Sequence, residues 1–299
     1  MKEVKLSEKC ALVVLNGLES LHPSNAKQAA LRAVAAAKVM EDVVGEADAD
    51  AAEFSAKLEE AVERGKSLKK KEGKELEAAV FASLEAEGLM EQVPDILGCD
   101  LNYYTAGITL RAYRSEEGEY LRLREGLRAD ILEDGPISLE SAVLLWLHRE
   151  SGCIHELFSA EEQKRVQSRM VEFSVQNDTY RSLWTAEFHR ATEFFTGKIL
   201  RTKRNLFKNP YLEGINLLFP FLERRQAIFI DCVNFGTSVE ERRIAVIEHI
   251  SSMGHYVEEV KNGSETLLKI DNVYYRIFPR SMQMARVPIQ GVELVPVYW

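Results

Sequence analysis

The chain has 299 residues, a formal net charge of −9 and a hydrophobic content of 46%, and this length is sufficient for two domains with separate cores. The charged fraction of 28% is ordinary for a globular protein. The excess of acidic residues argues against nonspecific nucleic-acid binding and against a globally cationic membrane surface.

The chain shows no sign of membrane insertion or secretion. No stretch approaches the roughly 18 apolar residues of a spanning helix. Lys2, Lys5 and Lys9 precede the apolar run 10–15, but acidic residues interleave with them and no small-residue cleavage site follows. We therefore expect a cytoplasmic protein without a transmembrane segment. Four widely spaced cysteines without a C-x-x-C pair are typical of buried thiols in a reducing compartment: Cys10, Cys99, Cys153 and Cys232.

The first part of the chain has a helical pattern. Apolar helices are predicted at 6–20 and 24–44, the second rich in alanine. A charged segment follows at 46–75, interrupted by a loop around Gly73, and an amphipathic helix is predicted at 75–87. Residues 107–114 alternate well enough for a short strand or a helix edge. Residues 1–173 are thus predicted to form a mainly helical domain with short β elements.

The middle of the chain carries signals for two further helices. Gly135-Pro136 ends one element, Ser138 is placed to cap the next helix, and residues 137–147 are almost wholly apolar. A turn at Gly152 follows. Ser159 and Glu162 then have the Ser-x-x-Glu spacing of a capping box, in which both side chains satisfy backbone N–H groups at a helix start. We expect two helices joined by a short turn.

Four segments together resemble one known family over residues 1–173. They are the opening LSEKCALVVLNGL, Ala30-Leu31-Arg32 in the alanine-rich helix, Glu87-Gly88-Leu89, and LRADILEDGPISLESAVLLWLHRESGCIHELFSAEEQKRVQSRM. The family that they resemble is the Golgi phosphoprotein 3-like domain family. The resemblance implies a compact helical domain that acts as an adaptor and binds phosphatidylinositol 4-phosphate.

The resemblance also implies where a ligand binds. It places Arg32 and Lys74 at positions that hold the lipid headgroup. The family's tryptophan falls near Pro23 and a further arginine falls near Glu77, so these two positions depart from the pattern. We expect a non-enzymatic scaffold or adaptor, with a protein partner or a peripheral membrane lipid as its ligand.

Two basic segments were considered as binding surfaces. The lysines at 69–71 and 74 have the charge to meet an anionic membrane, but glutamates at 72, 75 and 77 interleave with them and favour a solvated helix face. A basic and aromatic segment at 198–211 has the composition of a phosphate or nucleic-acid site. Docking between domains is the better interpretation, and we expect no nucleic-acid partner.

A second pattern begins after residue 173. Residues 174–225 are predicted as a helical connector, with one aromatic-rich helix at 179–207 that leaves self-association into a homo-oligomer open. Residues 226–299 are predicted as a small α+β domain. Its elements are a strand at 227–233, a helix opened by the capping box Ser238–Glu241 and ending near 253, and strands at 256–260, 266–270, 273–278 and 292–298. Tight turns are predicted at 262–263 and 271–272.

One enzymatic alternative remains from the residues alone. Asp231 follows a predicted buried strand, and Glu265 and Lys269 on a neighbouring strand would complete an acidic, metal-dependent site. His148 and His155 lie seven residues apart, but we expect them on different elements and predict no metal site. The chain has no glycine-rich phosphate loop, G-x-S-x-G or H-E-x-x-H motif, and we expect no cofactor.

Overall fold

The chain consists of a mainly helical N-terminal part and a small C-terminal α+β part, which confirms the predicted fold class. The computed structural model describes the residues 4–20, 25–44, 51–107, 109–188, 225, 227–231, 238–261, 266–284 and 287–297. The described N-terminal helices are α1 (Leu6–Val14), α2 (Asn25–Val44), α3 (Ala51–Ser67), α4 (Lys70–Ala86), α5 (Leu101–Thr105), α6 (Glu117–Leu132), α7 (Leu139–Ser151), α8 (Ile154–Leu157), α9 (Ala160–Gln176) and α10 (Asp178–Thr185). A two-stranded antiparallel sheet joins β1 (Met90–Pro94) to β2 (Arg111–Ser115), and a 3₁₀ helix (Ile96–Cys99) lies between them.

The N-terminal core is built on α2 and α7. All the alanines of α2 except Ala29 are buried, and their small side chains let α1, α3 and α7 pack closely around the helix. In α7, Trp146 is fully buried, donates from Nε1 to the carbonyl of Ala186 at 2.9 Å, and meets the ring of Phe188 edge-on. The apolar run predicted at 137–147 is therefore the centre of the helical part.

The predicted helix caps are present. The Ser138 side chain accepts from the backbone of Ser141, and Gly152 ends α7 with a φ of +79°, a conformation that glycine adopts without steric penalty. Ser159 with Glu162 and Ser238 with Glu241 both form capping boxes. These local hydrogen bonds depend only on short spacing, which is why the sequence reveals them.

The described residues of the C-terminal part form a five-stranded antiparallel sheet and one helix, α11 (Val239–Ser252). The strand order is β3-β7-β6-β5-β4. The strands are β3 (Ile228–Ile230), β4 (Val257–Lys261), β5 (Leu267–Ile270), β6 (Val273–Met284) and β7 (Val287–Pro296). The meander β4 to β7 follows the predicted order, and β3 closes the sheet beside the last strand.

Several local predictions were wrong. The aromatic-rich helix predicted over 179–207 ends at Thr185, because Ala186 turns back to accept hydrogen bonds from Trp146 and Arg149. Gly73 does not lie in a loop. It is buried inside α4, where it faces Leu31. Strand β1 was not predicted, and β6 and β7 are longer than expected. The predicted turn at 262–263 and the basic segment at 198–211 lie outside the described residues.

The core of the C-terminal sheet includes residues from far upstream. Cys99 is buried with the apolar side chains of β3, β5 and α11, and Ile96 and Leu97 pack against the same cluster. The Asp100 carboxylate accepts from the backbone N–H of Phe229 at 2.8 Å, on an edge strand of the sheet. The segment that follows β1 therefore contributes side chains to the hydrophobic core of the C-terminal sheet.

A tight turn docks the C-terminal sheet on the helical part. Asp271, with a φ of +52°, and Asn272 join β5 to β6. The Asp271 carboxylate accepts from Arg114 at 2.6 Å and lies 2.9 Å from Nδ1 of His255. Asn272 donates to the carbonyl of Ser115 at 2.8 Å. Burial by itself raises the pKa of Asp271, but the hydrogen bonds from His255 and Arg114 outweigh it and lower that pKa.

A buried carboxyl group lies beside this junction. Asp95 is 4% exposed and accepts from the backbone N–H of Leu97 at 2.9 Å. Burial, followed by the negative charge of Glu19, raises the pKa of Asp95 from 3.8 to about 6, against the smaller opposing effects of the Leu97 hydrogen bond and His255. At neutral pH the ionised Asp95 carboxylate therefore destabilises the folded protein relative to the unfolded chain.

Replacing Asp95 by Asn tests whether burial raises the pKa of this carboxyl group. Asn retains an acceptor for the Leu97 N–H but removes the charge. Because the folded-state pKa lies above the unfolded one, the stability that protonated Asp95 provides is present below about pH 4 and lost as pH rises through 6. Asp95→Asn should be more stable than the wild type at pH 7.5 by about 2–3 kcal/mol, with the difference vanishing near pH 4, as measured by urea denaturation. A pH-independent difference would contradict it.

Gly291 provides a second test of the sheet. A Cβ at this position would overlap the carbonyl oxygen of Ile230 and lie 2.6 Å from the ring of Phe229. Gly291→Ala should therefore reduce the free energy of unfolding by about 2–3 kcal/mol in urea denaturation. Gly126 of α6 is the matched control, because nothing lies within 4 Å of its added Cβ. Gly126→Ala should stabilise by about 0.5–1 kcal/mol, and equal effects of the two variants would refute the packing argument.

Candidate functional site

A lysine-rich cleft lies between α2, α4 and the segment that follows α1. Its volume is ≈ 540 Å³. The described residues that line it are Ser20, Lys27, Gln28, Leu31, Lys70, Lys71, Lys74 and Glu77. Four of these side chains are cationic and only one is anionic, so this surface of an acidic protein has a local excess of positive charge. We call it the lysine cleft.

The helical period of α4 separates its lysines from most of its glutamates. At about 100° per residue, Lys70, Lys74 and Glu77 fall within about 60° of each other around the helix axis. Glu72 lies roughly opposite Lys70 and pairs with Arg64 of α3 at 2.7 Å. Glu75 approaches Lys71 to 4.0 Å, and both side chains are exposed. Of the three interleaved acids, Glu72 is thus turned away from the cleft, Glu75 makes one weak exposed pair, and Glu77 alone lines the cleft among the described residues.

The lysines also sit at an electrostatically unfavourable place. Lys70 and Lys71 occupy the first turn of α4, and the side chain of Lys69 makes no capping hydrogen bond there. A helix N-terminus carries partial positive charge and backbone N–H groups without intrahelical partners. Cations at this end are destabilising, whereas an anion is stabilised by both features. This conflict with the local rule is typical of a binding site.

The floor of the cleft is a buried ion pair. Lys27 Nζ lies 2.5 Å from Glu77 Oε1, and the two side chains are only 4% and 8% exposed. Lys27 also donates to the carbonyl of Ser20 at 2.6 Å. The Tyr113 hydroxyl donates to Glu77 at 2.7 Å. Burial and then the Glu77 hydrogen bond raise the pKa of Tyr113, so its hydroxyl remains a proton donor to the carboxylate.

The two ligand residues implied by the family resemblance lie in different surroundings. Lys74 is exposed and lines the lysine cleft. Arg32 follows Leu31 on α2 and is half-buried, and it is not among the described residues that line the cleft. Its Nε is enclosed and makes no hydrogen bond within the described part of the chain. Lys74 and Arg32 are thus not brought together at this cleft.

The structure separates the residues of the enzymatic alternative that it describes, Asp231 and Lys269. Asp231 is exposed just after β3, while Lys269 lies on β5, three strands away in the sheet order. This is about 14 Å in the hydrogen-bonding direction alone. Lys269 is buried and forms an ion pair with Glu117 of α6. Glu265 lies outside the described residues.

The histidines and cysteines that the sequence analysis named do not form a metal site among the described residues. His148 is 1% exposed within α7, and the side chain of His155 is outside the described set. No group of three or more His, Cys, Asp or Glu residues suited to hold a metal occurs among the described residues. Cys10, Cys99 and Cys153 are buried thiols, and Cys232 is not described. Within the same part of the chain, no helix combines the length and apolar character needed to span a bilayer.

The chain was compared with protein-family models, curated proteins and solved structures. No protein-family model, curated protein or solved structure matches the chain. The resemblance of residues 1–173 to the Golgi phosphoprotein 3-like domain family therefore stays a prediction. The lysine cleft is consequently interpreted from its own geometry.

Sequence reasoning missed three of the eight residues that line the lysine cleft. Ser20, Lys27 and Gln28 were not considered, because only folding brings α2 against α4 some 40 residues later. One signal was available in the sequence. Lysines in the first turn of a helix oppose the helix dipole, but the start of α4 at Lys70 was not predicted.

Because Lys27 belongs to the buried pair, replacing it should affect the stability of the protein far more than replacing an exposed lysine of the cleft. Lys27→Met leaves the Glu77 carboxylate buried without its cation, and it should lower the free energy of unfolding by about 3 kcal/mol or more. Lys74→Met removes an exposed lysine from the same cleft and should change it by less than about 0.5 kcal/mol. Urea denaturation at pH 7.5 measures both. Similar small effects would show that Lys27 is not a buried partner of Glu77.

Proposed function

We propose that the protein is a non-enzymatic binding module that holds a phosphate-bearing ligand in the lysine cleft. The observation that carries this proposal is the coincidence of three exposed lysines with the uncapped N-terminus of α4. Phosphate oxygens accept hydrogen bonds from ammonium groups and from backbone N–H groups alike. Lys70 and Lys71 line the cleft and also occupy the first turn of α4, which brings both kinds of donor to this part of the surface.

The shape of the lysine cleft supports a small headgroup rather than a long polyanion. Its volume of ≈ 540 Å³ falls within the range of small-molecule sites. Leu31 and the stem of Gln28 line the α2 wall, so one side has apolar surface beside the charged side. A phosphorylated lipid headgroup at a membrane surface, or a free phosphorylated metabolite, has this chemistry. The family resemblance favours the lipid.

An adaptor needs a second binding surface, and the sequence leaves that surface open. The described aromatic residues of the segment after α9 pack within their own chain. Tyr180 donates to the carbonyl of Ile137, and Trp184 lies over Arg149 at 4.7 Å. A protein partner therefore remains part of the proposal without an assigned surface. The enzymatic alternative receives no support from the positions of Asp231 and Lys269.

Binding assays with two kinds of probe test the proposal. Vesicle co-sedimentation would compare neutral, generally anionic and phosphatidylinositol 4-phosphate vesicles at low and physiological salt. Calorimetric titration with inorganic phosphate would detect a site for a free ligand. Selective binding to the phosphorylated vesicles identifies a lipid, and binding of phosphate alone identifies a soluble ligand. Binding to every anionic vesicle that disappears with salt would indicate only nonspecific attraction and contradict the proposed site.

Matched lysine variants locate the ligand. Lys70→Ala/Lys74→Ala should weaken binding by about 2 kcal/mol, roughly 30-fold, at about 1 kcal/mol per cation. Lys66→Ala/Lys164→Ala removes the same charge from exposed positions outside the cleft and should change binding less than about twofold. Arg32→Ala examines the residue implied by the resemblance. Loss of binding in Arg32→Ala alone would place the ligand outside the lysine cleft.

A further inference from the structure

Glu77 is the one acidic side chain among the described residues that line the lysine cleft. It is buried, and it contacts two donors among the described residues. Its Oε1 lies 2.5 Å from Lys27 Nζ and accepts from the Tyr113 hydroxyl at 2.7 Å. A carboxylate on the floor of a cationic cleft opposes the entry of any anion, because like charges repel strongly where water is partly excluded.

Glu77 also neutralises the charge of Lys27, the buried lysine of the cleft. Lys27 is directed toward Glu77 and the carbonyl of Ser20, and its ammonium lies 5.9 Å from the centre of the Tyr113 ring. The charge of Lys27 is therefore compensated within the protein. The exposed lysines of α4 remain to balance a ligand: Lys70, Lys71 and Lys74.

We infer that Glu77 sets the anion affinity of the lysine cleft, by neutralising Lys27 and by repelling charge at the floor. This inference rests on the proposed function, and it makes Glu77 a specificity-determining residue of the same site. With Glu77 in place, the cleft presents the charge of three lysines and suits a single phosphomonoester. Without its negative charge, Lys27 attracts the ligand as well, and binding becomes tighter.

The rest of the structure supplies the constraint that holds Glu77 there. Glu77 occupies α4, and Gly73, one turn earlier on the same face of that helix, packs against Leu31 of α2. Tyr113 is fixed on β2, where its ring packs 5.1 Å from that of Phe81. The carboxylate cannot leave Lys27 without also losing the Tyr113 hydrogen bond. It is thus a permanent component of the floor, in contrast to the exposed Glu75.

The test is calorimetric titration of inorganic phosphate into the full chain at pH 7.5. Glu77→Gln retains an oxygen that accepts from Tyr113 and Lys27 but removes the negative charge, so phosphate should bind about five- to tenfold more tightly. Glu85→Gln is the matched control, since it makes the same charge change at an exposed position near the other end of α4. It should change the affinity by less than about twofold.

The outcomes separate the two claims. If the wild type binds phosphate and Glu77→Gln binds no more tightly than Glu85→Gln, the inference about Glu77 is wrong and the proposed function stands. If neither the wild type nor any variant binds phosphate or phosphorylated vesicles, the proposed function itself fails. Should Glu77→Gln not fold, the double variant Lys27→Met/Glu77→Met removes both charges of the buried pair together. It should bind phosphate within about twofold of the wild type, and a larger loss would show that Glu77 does not neutralise Lys27.

Discussion

The carboxylate of Glu77 is the contact on which the arrangement of the helical part depends, because it joins three elements that are distant in sequence. It pairs with Lys27 of α2, extends from α4 and accepts from Tyr113 of β2. The two residues that follow Tyr113 on β2 hold the C-terminal turn: Arg114 pairs with Asp271, and the Ser115 carbonyl accepts from Asn272. One short strand therefore connects the floor of the lysine cleft to the junction with the C-terminal sheet.

The parts of the fold that depend on local chemistry could be predicted from the sequence. Ser138, Gly152 and the two capping boxes mark helix ends through hydrogen bonds that span three or four residues. The strands and the helix predicted within residues 226–299 occur in the predicted order. Errors arose where tertiary contacts override local pattern. The helix predicted through 207 ends at Thr185, because Ala186 is held by Trp146 and Arg149 of α7.

The candidate site was less predictable, since it is made by packing. The lysines at 69–71 and 74, with glutamates at 72, 75 and 77, have the linear pattern of a solvated surface. Only the helical period of α4 shows that Glu72 is turned away from Lys70 and Lys74. Lys27 carried no signal at all. It becomes significant because the segment after α1 and α4 enclose it, leaving its side chain 4% exposed. Asp231 shows the opposite case, where a suggestive position at the end of a strand gains no neighbour from the predicted set.

The measurement that tests the lysine cleft most directly is an NMR titration with inorganic phosphate, observed at backbone amides of the full chain. A ligand at the start of α4 acts on the N–H groups of residues 70–72, which lack intrahelical acceptors. The account predicts progressive, saturable shifts at these three amides and at Ser20, with smaller shifts on the far face of α4. Shifts centred on Asp231 or Arg32 instead, or none that saturate, would contradict it.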